Sequence, residues 1–275
     1  MPDRPATGNP ELQFLPQRPR WLGVAARVAA PVILFALLIT IWQVWVVVAD
    51  VKPFLLPTPI DAFGEAIENR SFLLSQTWVT LSEIAYGYLL AVAIGVPLAM
   101  AIANSRLIEI SLFPLLVASQ VVPKIALAPL FLIWLGFGIA SKIVIVMLIA
   151  FFPIVVNGVV GLQSVEQEKI YLAQSMGASK FKTFYRVRLP TSLPSLFGGL
   201  KLAAILAVVG AVVGEFIGAN KGLGRTLLVA NGLLDTELLF ATIGYLTVLG
   251  VGFYLIVDLI ERLTIPWHIS KRRST

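Results

Sequence analysis

Hydrophobic residues in this chain fall into long runs instead of the short alternations of a soluble fold. The first, Ala29 to Ala49, holds no polar residue except Thr40 and Gln43, and uncharged or nearly uncharged stretches follow over 84–103, 107–136, 143–162, 196–218 and 238–259. A helix crosses a bilayer with about 20 apolar residues, so the pattern predicts an all-α polytopic membrane protein with six transmembrane helices. The first run exceeds the roughly 7–15 apolar residues of a cleaved signal peptide, and it ends in Trp42, Trp45 and three valines, which reads as a retained span. The third run, at about thirty residues, would be roughly 45 Å long as one straight helix, against a core of roughly 30 Å. Pro123 and Pro129 inside it predict a break.

Composition agrees with lipid as the solvent. The 275 residues are 58% hydrophobic and only 13% charged, where a soluble domain carries about 25% charged residues. The absence of cysteine removes disulfide scaffolds, thiolate metal sites and cysteine nucleophiles. Five prolines and mixed charge in the first twenty residues predict that 1–28 is a disordered cytoplasmic tail, with a transmembrane permease domain over 29–265 and a basic cytoplasmic tail over 266–275.

Charge changes the picture by fixing the orientation. With the amino terminus inside, fourteen Lys and Arg fall on the inner side, among them Arg27, Arg106, Lys169, Lys180, Lys182, Arg186, Arg188 and Arg262, against five outside: Lys52, Arg70, Lys142, Lys221 and Arg225. Loops rich in these residues stay cytoplasmic, so both termini are expected in the cytoplasm and the protein in the inner (plasma) membrane. The net charge of +6 is then a topology signal. It is not a nucleic-acid footprint, which would need the basic residues clustered on one soluble element.

The longest inner connection, 163–193, has an internal pattern. Ile170, Ala173 and Met176 share a helical face behind an acidic first turn, Gly177 reads as a helix stop, and Ser179 as the cap of a second helix that Leu189-Pro190 ends. Phe181, Phe184, Tyr185 and Arg188 share a face of that second helix. An apolar knob flanked by Lys180, Lys182 and Arg186 suits contact with a soluble partner; the competing reading lays both helices in the membrane interface.

Here Tyr171-Leu172-Ala173-Gln174-Ser175-Met176-Gly177, then nine residues, then Val187-Arg188-Leu189-Pro190, resembles the EAA loop of the permease subunits of binding-protein-dependent ABC importers. That pattern is Glu-Ala-Ala, three residues, Gly, nine residues, Ile-x-Leu-Pro. The chain departs from it at Tyr171 and Leu172, in the manner of the branch that transports sulfonates, taurine, nitrate and related small solutes. Leu56-Pro57-Thr58-Pro59, the segment 126–138, Phe151-Phe152-Pro153-Ile154, Gly214-Glu215-Phe216-Ile217 and Gly222-Leu223-Gly224 extend the likeness over nearly all of the chain beyond residue 54. The resemblance implies a type I ABC importer permease that works as a homodimer, with an external solute-binding protein. It also implies two cytoplasmic ATPase subunits that bind the ATP and grip Tyr171, Leu172, Ala173, Met176, Gly177, Ala178, Phe181, Phe184, Val187, Leu189 and Pro190.

No chemistry of the chain's own stands out. Residues 219–226 fail as a phosphate loop, lacking its first glycine and its lysine, and Gly136-Phe137-Gly138 lacks the third glycine of a dinucleotide fingerprint. The single histidine, His268, lies in the basic tail, so neither a catalytic triad nor a metal cluster is expected. An enzyme is therefore not expected, nor any cofactor held by this chain.

Polar groups inside spans are the candidates for a translocation path, since they are costly in lipid. Lys124 lies on such a path, favouring an anionic solute, or else snorkels or pairs with a carboxylate such as Glu83. Gln120 and Asn157 suit hydrogen bonds between helices. Glu215, near the outer end of span five, suits an interfacial role before that of a gate, and Lys201 and Asp258 suit snorkelling. Gly95, Pro97, Gly198, Gly199 and Gly210 suit close packing or bending, and Trp42, Trp45, Trp134 and Trp267 interfacial belts. The expected function is import of a small organic solute, which the resemblance leaves open among sulfonates, taurine, nitrate and neutral vitamin precursors such as pyrimidines or riboflavin, with Lys124 tilting it towards anions. The alternative, a stand-alone secondary transporter or channel, would want coupled intramembrane acids or an inverted repeat, and neither is clear.

Overall fold

The structure is a computed structural model that describes residues 20–267, with side chains from residue 29. The amino-terminal tail before Arg20 and the basic tail with His268 lie outside the described residues. Among the described residues the chain is helical: α1 (Arg20–Val48), α2 (Pro59–Glu68), α3 (Arg70–Asn104), α4 (Arg106–Ser119), α5 (Ala128–Leu135), α6 (Ile139–Gln163), α7 (Gln167–Ser175), α8 (Lys180–Thr183), α9 (Leu189–Gly218), α10 (Leu223–Leu233) and α11 (Thr236–Thr264). Five are long and apolar enough to cross a membrane, and α4 with the segment Lys124–Leu135 forms a pair bent by 86° that makes a sixth if the two are one span. The bend sits at Pro123, where the chain passes through a 3-10 turn over Lys124–Leu127 before α5. The break expected at the prolines of the third apolar run is therefore present.

The core is a trio of helices, α3, α6 and α9. Ala91, Ala150, Ile154, Ala203, Ala204 and Ala207 are fully buried between them. Small side chains let the backbones approach, which is how helices associate where no hydrophobic force acts between them. At Gly199 a Cβ would stand 2.6 Å from the Pro153 carbonyl oxygen, so only glycine fits. Gly198, its neighbour, faces open space and takes no part in packing.

Two expectations about spans change. α3 starts at Arg70, well before its apolar run at Ile84, because its first turns are held by polar contacts as well as by apolar burial. Gln76, Thr80, Glu83 and Gly87 then form one helix face pointing into the bundle. Lys142, placed outside by its position in a short connection, is buried in the first turn of α6, and its Nζ donates to the carbonyls of Phe137 and Gly138, each at 3.1 Å.

Candidate functional site

The segment 163–193 folds as two short helices on an elbow. α7 ends at Gly177, whose φ of +82° closes the turn, with Ala178 N donating to Ala173 O at 3.0 Å. Positive φ costs a residue with a Cβ about 1 kcal/mol or more, which is why glycine sits there. Ser179 caps α8, its hydroxyl accepting from Lys182 N at 3.3 Å. Pro190 does not end this helix, as its sequence position suggested. A π turn over Phe184–Arg188 leads straight into α9. The wider winding makes room for the proline ring, which would otherwise meet the carbonyl four residues back.

The elbow presents apolar side chains outward. Tyr171, Leu172, Met176, Phe181 and Tyr185 are all exposed, Met176 at 80% and Phe181 at 70%. The rings of Phe181 and Tyr185 lie 4.5 Å apart and form one knob. Ala173, Ala178, Phe184, Val187, Leu189 and Pro190 are half-buried beneath it, and Gly177 is exposed. The knob and the half-buried layer together leave a continuous apolar surface open on the elbow.

The four residues suggested for a path do not come together. Lys124 and Gln120 meet at the bend, where Lys124 Nζ donates to Gln120 O at 3.3 Å and stands 4.5 Å over the Phe152 ring. Lys124 does not pair with Glu83. Asn157 lies within α6, its amide donating to Pro153 O at 2.8 Å, and its backbone carbonyl accepts from Ser195 of α9.

Glu215, in the last turn of α9, is fully buried within the bundle and does not snorkel. One carboxylate oxygen accepts from the Thr80 hydroxyl at 2.6 Å and the other from Gly224 N, at the amino terminus of α10. Leu223 N donates to Thr80 Oγ1 at 2.8 Å and Gly222 N to Gln76 Oε1 at 2.7 Å. An anion at a helix amino terminus meets unpaired N–H groups and the favourable end of the dipole. Glu83, also buried, lies against Glu215 with Lys142 nearby, and its Oε2 has no hydrogen-bond partner. The result is a polar lock joining α3, α9 and α10.

A second buried cluster joins α9 to α11. Lys201 pairs with both Asp258, at 3.3 Å, and Glu261, and Arg262 pairs with Asp258 at 2.7 Å. Lys201, Asp258 and Glu261 satisfy one another inside the bundle and do not snorkel, while Arg262 closes the cluster from its exposed side. Sequence reasoning missed both clusters as pairs; Gln76, Thr80 and Glu83 share one helix face, but they lie ahead of the apolar run at Ile84 that was read as the span.

The fold and the projecting elbow define a class: a polytopic helical membrane protein with an exposed apolar elbow between two of its long helices. Residues 91–265 match the binding-protein-dependent transport system inner membrane component family, and the chain belongs to that family. It is similar to the formylaminopyrimidine transport permease protein ThiX of Halalkalibacterium halodurans, at 37% identity over 86% of this chain and 95% of the relative. Its identity to the riboflavin transport system permease protein RibX of Chloroflexus aurantiacus is 38%, over 85% and 88% of the two chains. The taurine transport system permease protein TauC of Escherichia coli stands lower, at 28% over 85% and 87%. In fold the chain resembles the MetNI methionine ABC transporter in an inward-facing form, with a TM-score of 0.62 over 70% of this chain and 96% of that one, at 20% identity. The protein is thus an ABC importer permease and not an enzyme, and such a permease implies an ATPase and a binding protein as partners.

Proposed function

We propose that the elbow of α7 and α8 is where the ATPase grips this permease, through Tyr171, Leu172, Ala173, Met176, Gly177, Ala178, Phe181, Phe184, Val187, Leu189 and Pro190. The observation that carries this reading is the exposed apolar knob of Phe181 and Tyr185 on a helix continuous with α9, with Met176 exposed across the elbow at the end of α7. The proposal places the elbow and both termini in the cytoplasm, in agreement with the Lys and Arg asymmetry, with the permease domain over 29–265 in the inner membrane. Two copies pair around a central path and two ATPases dock beneath. Closure of the ATPase pair then pulls the elbows and rocks the spans between inward-open and outward-open states. Phe181→Glu and Gly177→Asp are expected to abolish co-purification of the ATPase, the first by charging the knob and the second by straining the elbow. An ATPase that stays attached to both variants would refute the docking assignment.

For the solute we infer a planar nitrogen heterocycle of the pyrimidine or flavin kind. Support comes from the higher identity to permeases named for formylaminopyrimidine and riboflavin than to the one named for taurine. A sulfonate is the second reading, favoured by the Lys124 ammonium at the bend. Uptake of a labelled pyrimidine against labelled taurine by the assembled transporter distinguishes them.

A further inference from the structure

We infer that Arg188 is a positioning residue that carries motion from the elbow to the spans, an inference that rests on the docking role proposed above. α7 buries no residue against the bundle, and α8 buries only Thr183. The elbow therefore reaches the membrane helices through few contacts, and its covalent link to α9 passes through a π turn, whose wider winding is a compliant joint. Arg188 stands at the last residue of that turn. Its Nη1 donates to Asn104 Oδ1, and its Nη2 to the carbonyls of Ala103 and Leu162, all at 3.2 Å. Ala103 is in the last turn of α3 and Leu162 in the last turn of α6.

These acceptors suit a guanidinium for a physical reason. The final carbonyls of a helix have no partner within it and carry the negative end of its dipole. Arginine offers several N–H donors in a fixed plane, so one side chain can hold two such ends at once, which lysine cannot do in the same geometry. One residue thereby fastens the exit of the elbow to α3 and α6, the two helices packed against α9. A pull on the elbow crosses the π turn to Arg188 and from there reaches all three helices together. Without the clamp the pull would pass into α9 alone.

The test is made on the full complex of permease, ATPase and binding protein in proteoliposomes, reading solute uptake per ATP hydrolysed. Arg188→Gln is expected to keep the ATPase bound and hydrolysing while uptake per ATP falls roughly tenfold, in line with the loss of a coupling contact. Arg188→Lys is expected to restore part of the loss, since it keeps the charge and loses the fork. Uptake per ATP within about twofold of the unaltered protein would overturn the inference. So would loss of the ATPase from Arg188→Gln, which would make the residue part of the dock. If Arg188→Gln does not reach the membrane, Asn104→Ala decides, removing one acceptor with an expected fall of about twofold to threefold; an unchanged ratio overturns the inference. An ATPase retained by Phe181→Glu in a parallel preparation would sink the docking reading instead, and leaves the Arg188 ratio as measured.

Discussion

The helix that runs from α8 through α9 buries 44% of its most apolar window against the rest of the chain and α6 buries 39%, whereas α1 buries 6%. All are similarly apolar, so hydrophobicity does not separate them. Side-chain size does: the trio of α3, α6 and α9 meets through glycine and alanine, while α1 and α4 present Leu37, Trp45, Leu107 and Leu115 outward. α4 contributes no buried residue at all. A span made of large side chains has surface to spare, which something outside the chain, lipid or protein, has to cover. The trio covers its inner faces with its own helices, although Tyr86, Leu89, Leu202 and Ile205 on its outer faces are exposed as well. It is also the part held by buried polar groups, the Glu215 lock at one end and the Arg188 clamp at the other. Substitutions that add volume should therefore damage the trio and leave the rim nearly untouched.

The largest effect is expected at the lock. Gly222 has a φ of +113°, and a Cβ there would overlap the Glu215 carboxylate. Gly222→Val combines backbone strain with displacement of a buried carboxylate, so a loss of about 3 kcal/mol is expected. Thermal unfolding in detergent measures it. A loss no greater than that of a rim substitution would remove the lock from the rigid half.

A middle-sized effect tests the packing itself with two neighbouring glycines. Gly199→Ala pushes a methyl to 2.6 Å from Pro153 O and 2.7 Å from Asn157 Cβ, with an expected cost of about 1–3 kcal/mol from overpacking. Gly198→Ala meets open space and is expected to be neutral or to stabilise by up to about 1 kcal/mol, through the higher helix propensity of alanine. Equal effects at both positions would mean that composition alone, and not the interface, decides.

The contrast also explains what could be read from the sequence. The elbow at Gly177, the Ser179 cap and the break at Pro123 depend on a few consecutive residues, and all were legible. The Lys201 pairs with Asp258 and Glu261, and the Thr80 bond to Glu215, join residues far apart in the chain, so neither hydropathy nor helical spacing could announce them. Reading spans from apolar runs also cut off the first turns of α3, which hid the Gln76, Thr80 and Glu83 face. Charges that appear to mark span ends were instead satisfied by partners that only the fold brings near. Pro190 misled in a similar way, because the π turn that accommodates it is a property of the chain before the proline.

The smallest effect on folding, and the sharpest probe of the rim, is expected at Lys124. Its ammonium makes one hydrogen bond to a backbone carbonyl and lies over Phe152, contacts that together contribute on the order of 1 kcal/mol or less at a partly exposed site. Lys124→Met should therefore unfold close to the temperature of the unaltered protein. Its effect on transport is expected to be larger, because the bend between α4 and α5 places a polar donor at a break in a span, where a broken helix lines a path in other transporters. Uptake by the assembled transporter should fall while ATP hydrolysis continues, and Lys124→Arg should keep part of the uptake. If uptake and hydrolysis both stay unchanged, Lys124 is only a brace for the bend, and the rim is lined for contact with lipid or protein and not for passage of a solute. A fall confined to taurine, with pyrimidine uptake intact, would tie the ammonium to anionic solutes and turn the choice between the two solute classes on this one residue.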